Sequence, residues 1–331
     1  MSRIRHGWAF LAVLVLMMSS PAAVRAEDIV VSNYGIAANG MPFAVALEKG
    51  YFRDEGADVT GIISSAGGET TIRNLIGSHA AFAEADLAGT IAAIQSGADL
   101  RIVSDDVLTV GDFVWATRPN SAVKTISDLQ GRKIGYTNSR STSRALDILL
   151  LQTIGIAPDG ATLVQVGSFE AQVAALNHST IDVATLADPV WSKNSATTRT
   201  LIRASEILPP LCNVVGVASA EAIATHGDFI RAVLRGRERA VAFMYSDPDA
   251  AARIVARAYD IEPAIAREAI RNLAPSDAAA TLPYWGAGRF DLAGMNRMIA
   301  AQKSGGALNG DVDLSKIIDR SFLRKDLQTD Y

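Results

Sequence analysis

A chain of 331 residues, 49% apolar and 20% charged, is long enough for about two domains and a sizeable core. That apolar share excludes a mostly disordered protein, and 26 Gly with 11 Pro excludes collagen-like and low-complexity classes. One cysteine, Cys212, excludes an intramolecular disulfide framework and a Cys-rich zinc site, and with only four His no metal and no cofactor is expected.

The first 26 residues read as a secretory signal peptide. Arg3, Arg5 and His6 form a basic start, residues 9–18 are an apolar run too short to span a bilayer, and Val24 and Ala26 occupy the −3 and −1 positions of a cleavage site. Cleavage is expected after Ala26, and no Cys follows it to carry a lipid anchor. The segment holds three of the 31 basic residues and none of the 35 acidic ones, so the mature chain carries a formal −7. That charge argues against a nucleic-acid partner. No later apolar run approaches the roughly 18 residues of a membrane span, so a soluble mature protein is expected.

Residues 28–32 predict a short buried strand. The Gly- and Asn-rich loop 33–40 follows, and Pro42 suits the first turn of a helix with Phe43, Ala46, Leu47 and Tyr51 on one face. Residues 59–63 predict a second strand, 64–69 a loop into a helix with Ile72, Leu75 and Ile76, and 80–85 a third strand ending at Asp86. The alternation resumes after Asp112. Strands are expected over 113–117, 133–137, 163–166, 181–186 and 214–218, with a polar loop at 138–143 and helices carrying Leu146, Leu149 and Leu150, then Val173 and Leu176. Beyond 218 only helices are expected, most clearly over 229–245 and 250–259. Strand–helix alternation implies an α/β protein with mainly parallel sheets flanked by helices.

Residues 69–83 echo 170–184 at an offset of 101: Glu69 matches Glu170, Leu75 matches Leu176, Ser78 matches Ser179 and Ala83 matches Ala184. The shared order of strand, small-residue loop, helix, polar turn and strand points to two similar halves. Each half would present its loops at the carboxyl ends of its strands, where ligands bind in open α/β sheets.

Three segments carry a family resemblance. Leu47-Glu48-Lys49-Gly50-Tyr51-Phe52 after the first strand resembles the solute-binding proteins of ABC importers, in particular the sulfonate, taurine, nitrate and thiamine-precursor binders. Ile126 to Gly135, ISDLQGRKIG, resembles that family's sDLkGkkIgv segment, and residues 186–191, LADPVW, resemble its aromatic-acid-Pro segment with Ala187 in place of the aromatic. The resemblance covers about residues 28–260. It implies a two-lobed type II periplasmic-binding fold. Lobe one would be 28–112 plus 214–331, lobe two 113–213, with crossings near 112–117 and 205–214. It further implies a monomeric periplasmic protein that closes on a small ligand and is then recognised by an ABC permease in the inner membrane.

The candidate ligand contacts lie on the loops that follow strands. Ser139, Arg140, Ser141 and Thr142 precede an apolar helix, whose N-terminal N–H groups and dipole suit an anion, although plain capping by Ser or Thr explains the same residues. Arg140 is either a carboxylate or sulfonate clamp or a solvated surface arginine. Asp86 is a ligand contact or the cap of the next helix, Asp188 a contact for a ligand amine, and Trp191 a pocket wall or a core residue. Asn39 and Gly67 sit on the two first-lobe loops; Gly67 would let a ligand approach the backbone or simply make a turn. Trp285 either covers the cleft or packs against a terminal helix.

No nucleophile elbow, His-Glu-x-x-His or P-loop is present, so no catalytic residue is expected. Two alternatives stay open beside the transport reading. One is a thiamine-pyrimidine-synthase-like enzyme, whose Cys-rich motif this chain lacks. The other is a sensory binding protein feeding a membrane receptor.

Overall fold

The computed structural model describes residues 26–157, 159–275 and 282–331, and its strands among these residues form two sheets. The expected signal segment before Ala26 lies outside the described residues. In chain order the strands are β1 (Ala26–Ser32), β2 (Asp58–Ser65), β3 (Ala83–Asp86), β4 (Leu100–Val107), β5 (Phe113–Thr117), β6 (Lys133–Tyr136), β7 (Thr162–Gln165), β8 (Val183–Ala187), β9 (Arg199–Arg203), β10 (Val214–Ser219) and β11 (Trp285–Gly288). One sheet has the order β11-β4-β10-β3-β1-β2, the other β7-β6-β8-β5-β9.

Apart from β11 on its edge, the first sheet repeats the order of the second: β2-β1-β3-β10-β4 lies on β7-β6-β8-β5-β9. In each, three strands run parallel, and the strand that arrives by a crossing from the other sheet, β10 or β5, is antiparallel to both neighbours. Four of the strands in each sheet therefore share one direction. The 101-residue echo falls on equivalent elements, the helices Gly68–Ser78 and Phe169–Asn177 with the strands β3 and β8 after them.

The central strands are buried on both faces. Ile29, Val30 and Val31 are consecutive and fully covered, the pattern of a strand between helical layers. The helix Gly227–Ser246 buries Ile230, Val233, Arg237, Val241 and Met244 at helical spacing against that sheet. Pro42 sits in the first turn of the helix Met41–Glu48 as expected, but the helix does not continue to Tyr51. Gly50, at φ 71°, breaks the chain and starts a separate short helix, Tyr51–Glu55.

Three strands went unanticipated. β4 carries Ser104, Asp105 and Asp106 in its buried length, so its apolar pattern is broken. β9 is flanked by Arg199 and Arg203, and β11 reads Trp-Gly-Ala-Gly, which corrects the expectation of helices alone after residue 218. The buried acids have buried partners. Arg237 lies between Glu84 and Asp106, at 3.7 and 3.6 Å, and donates to the Gly286 and Asp106 carbonyls at 2.7 Å. Against the second sheet Asp147, on the helix Thr142–Thr153, accepts from Trp115 Nε1 at 2.8 Å and Thr185 Oγ1 at 2.5 Å.

Candidate functional site

A cleft of about 950 Å³ opens between the two sheets, a size suited to a small organic ligand. Its walls are the loops that follow β1, β2 and β3 on one side and β6 and β7, with the end of β8, on the other, the carboxyl ends of the parallel strands. Four helices begin there: Gly68–Ser78, Leu87–Gln95, Thr142–Thr153 and Phe169–Asn177. Their N-terminal N–H groups and dipoles give the cleft a positive bias without a formal charge.

On the first side, Asn39 is buried at the cleft wall. Its Nδ2 donates to the Ser32 carbonyl at 2.9 Å and to Glu84 Oε2 at 2.7 Å. Burial pushes Glu84 up to about 8, with the Arg237 charge opposing it. Gly67 adopts φ +86°, a conformation that favours glycine. Gly68 has no room for a side chain, since a Cβ there would lie 2.2 Å from the Asp86 carboxylate. Asp86 lines the cleft as the cap of the helix Leu87–Gln95, accepting from Gly89 N at 3.0 Å. Burial raises its pKa, and the bonds from the Gly89 and Gly68 amides offset part of that rise.

On the second side, the loop after β6 folds upon itself. Ser141 Oγ caps the helix Thr142–Thr153 through Arg144 N, at 3.3 Å, and Asn138 Oδ1 accepts from Arg140 N at 3.1 Å. Ser139, Arg140, Ser141 and Thr142 all line the cleft. Thr142 Oγ1 donates across to Asn213 Oδ1 at 2.7 Å, a residue on the return crossing before β10. Arg140 Nη1 reaches Glu69 Oε2 at 3.5 Å on the opposite side, and Arg73 holds the other carboxylate oxygen at 3.2 Å.

Asp188 and Trp191 do not line the cleft. Asp188 is fully buried: Oδ1 accepts from Ser192 Oγ at 2.5 Å and Oδ2 from Asn272 Nδ2 at 3.1 Å. Its carbonyl accepts from Ala38 N at 3.0 Å, and its own N–H donates to the Asp112 carbonyl at 3.0 Å. Its backbone ties the two sheets together behind the cleft, and both carboxylate oxygens are engaged by protein donors. Trp191 is a core residue with the Arg203 guanidinium 4.2 Å above its ring. Trp285 is likewise buried in β11 and donates to the Ala38 carbonyl at 2.9 Å.

Sequence reading missed Arg73, Asp112, Phe113, Phe169 and Asn213 among the lining residues. Arg73 lies one helical turn after Glu69, a spacing that marks a shared face. Phe169 is the echo of Gly68 at the 101-residue offset, and its ring meets Phe113 edge-on at 6.0 Å. Asp112 sits on the outgoing crossing. Burial, reinforced by the neighbouring Asp188 charge, pushes it up to about 8. Cys212 is buried with its thiol 3.1 Å from Asp105 Oδ1, and burial pushes the thiol well up, away from the reactive thiolate. Among the described residues, no cluster of His, Cys, Asp and Glu is placed to hold a metal.

Several solved structures share the architecture. The periplasmic aliphatic sulphonate binding protein SsuA of Escherichia coli superposes with a TM-score of 0.74 at 16% identity, over 89% of this chain and 92% of its own. The periplasmic nitrate-binding protein NrtA of Synechocystis PCC 6803 does so at 0.68 and 13%, over 91% and 87%. The desulfurization enzyme DSZB follows at 0.65 and 16%, over 89% and 97%. At such identities the likeness is one of fold, the periplasmic binding protein fold, and that fold carries both binders and an enzyme. No curated protein matches the chain in sequence. The profile of the NMT1/THI5-like family matches residues 37–251, which is 215 of the 331 residues and includes both sides of the cleft, and the chain therefore belongs to the NMT1/THI5-like family.

Proposed function

We propose that this protein is a periplasmic solute-binding component of an ABC importer, capturing a small anionic or zwitterionic organic molecule and delivering it to a permease. The observation that carries the reading is the cleft between the sheets, onto which four helix N-termini open and at whose rim stand Arg73 and Arg140. Residues 28–112 with 214–331 form one lobe in this reading and 113–213 the other. The strand crossings between them are the hinge. The sulfonate- and nitrate-binding neighbours support an anionic ligand. A ligand-contact set of Asn39, Gly67, Asp86, Ser139, Arg140, Ser141 and Thr142 follows from their place in the wall.

Beside the thiamine-pyrimidine-synthase-like alternative, the enzyme reading draws on the likeness to DSZB. Among the described residues the lining contains no Cys, and no His to serve as a base beside its serines, which favours binding over turnover.

Calorimetry with taurine, alkanesulfonates, nitrate and small carboxylates tests the proposal. One class should bind without turnover, and scattering should show a smaller radius of gyration for the bound form. Arg140→Ala should then weaken binding by about 1.5–3 kcal/mol, the scale of a hydrogen bond to a charged group, or roughly tenfold and more. Unchanged affinity would place Arg140 on the solvated surface and reopen a neutral, pyrimidine-like ligand. Export is tested separately: the mass of the secreted protein should begin at Glu27, and an uncleaved cytosolic product would remove the periplasmic assignment.

A further inference from the structure

The two sides of the cleft mouth are joined by one ion pair. Of the ion pairs among the described residues, only Arg140–Glu69, at 3.5 Å, links a residue of 113–213 to the rest of the chain. Glu69 stands in the first turn of the helix Gly68–Ser78, where a negative group meets the positive end of the dipole. It also holds Arg73 at 3.2 Å. One carboxylate therefore pairs with both cationic side chains of the cleft lining and offsets about half of their charge. All three side chains are more than half exposed, so the pairs are open to exchange with an incoming anion.

We infer that Glu69 is a tethered counter-ion: in the ligand-free protein it latches Arg140 across the cleft mouth, and the anionic head of the ligand takes its place on Arg140. This rests on the anionic reading above and adds a residue that sets selectivity. A weak anion at low occupancy cannot displace a carboxylate already held at high local concentration, whereas a head that bonds to helix amides as well as to Arg140 can. The latch also biases the ligand-free protein toward a narrowed mouth.

Cys212 is buried, so cysteines introduced at exposed Ser78 and Gln152 can carry a nitroxide pair, one on each side. At low salt, Glu69→Gln and Arg140→Gln should each lengthen and broaden the ligand-free distance distribution, and the double reversal Glu69→Arg with Arg140→Glu should restore it. Raising salt should widen the wild type and leave the two single variants unchanged, because exposed charges are screened. Coincident distributions in wild type and Glu69→Gln overturn the latch, and this arm requires no ligand. With butane-1-sulfonate as probe, Glu69→Gln should bind about two- to fivefold more tightly, the range an exposed ion pair supports. An unchanged or weaker affinity overturns the displacement. Absence of any anion binding to the wild type counts against the proposed function, while the distance measurement still decides the latch.

Discussion

Replacing Arg237 with alanine should cost about 3–5 kcal/mol of stability, the penalty for leaving a buried ionic cluster without one partner. Arg237 is 1% exposed, on the long helix Gly227–Ser246, and lies between Glu84 on β3 and Asp106 on β4. Its guanidinium also serves two carbonyls, Gly286 on β11 and Asp106, which would lose their donors. A domain at the lower end of the usual range of about 5–15 kcal/mol would be left close to unfolding. Urea denaturation should show the loss as a lower midpoint at neutral pH. Because loss of the cation raises both acids further and so favours their protonated forms, the deficit should shrink as pH is lowered. A loss below about 1 kcal/mol would mean that the arginine acts mainly through packing.

The second large effect is a fall in stability as pH rises from about 4 to 8. Burial pushes both Glu84 and Asp112 up to about 8 in the folded chain, from ordinary values of 4.5 and 3.8. The folded state therefore binds more protons than the unfolded state throughout that interval, and stability declines with pH. Each group contributes a slope of about 1.4 kcal/mol per pH unit in the middle of its window. The stability is fully present below the unfolded values and is lost as pH passes through the folded ones. Asp147, pushed up to about 7 by burial, adds to the same trend. Asp128 and Asp313, lowered by hydrogen bonds, act in the opposite sense, and only below about pH 4. Melting curves across pH 4–9 should thus show the highest midpoint at the acidic end of that range. Asp112→Asn should remove one group's share of the alkaline slope. An identical slope in wild type and variant would assign the trend to other groups.

The elements that build the cleft were legible because their signals are local. A short apolar run followed by Gly, Ser or Asn and then a helical face gives strand, loop and helix in turn, and parallel strands put those loops at one edge. Gly67, Asp86 and residues 139–142 lie on the cleft wall, where their place after strands and the family resemblance put them, and the 101-residue echo pointed to two similar halves. β4 and β9 were hidden for a physical reason. Their acids and flanking arginines are polar in composition, and only partners distant in sequence, such as Arg237 for Asp106, make their burial tolerable.

Asp188 shows the same division between what composition and spacing determine and what the assembled fold decides. Its position after β8 was readable, and so was the acidic side chain. Whether that carboxylate meets a ligand depends on Asn272, 84 residues away, which claims one oxygen, and on Ser192, which claims the other. Arg140 likewise was readable as a cation at a helix start, but its partner Glu69 lies 71 residues back on the opposite side of the cleft. Local spacing and composition set the class of fold, the loops that face the cleft and the kinds of group they carry. Which of those groups remain free for a ligand is a matter of the assembled fold, because hydrogen-bond capacity is consumed by neighbours that local periodicity does not place.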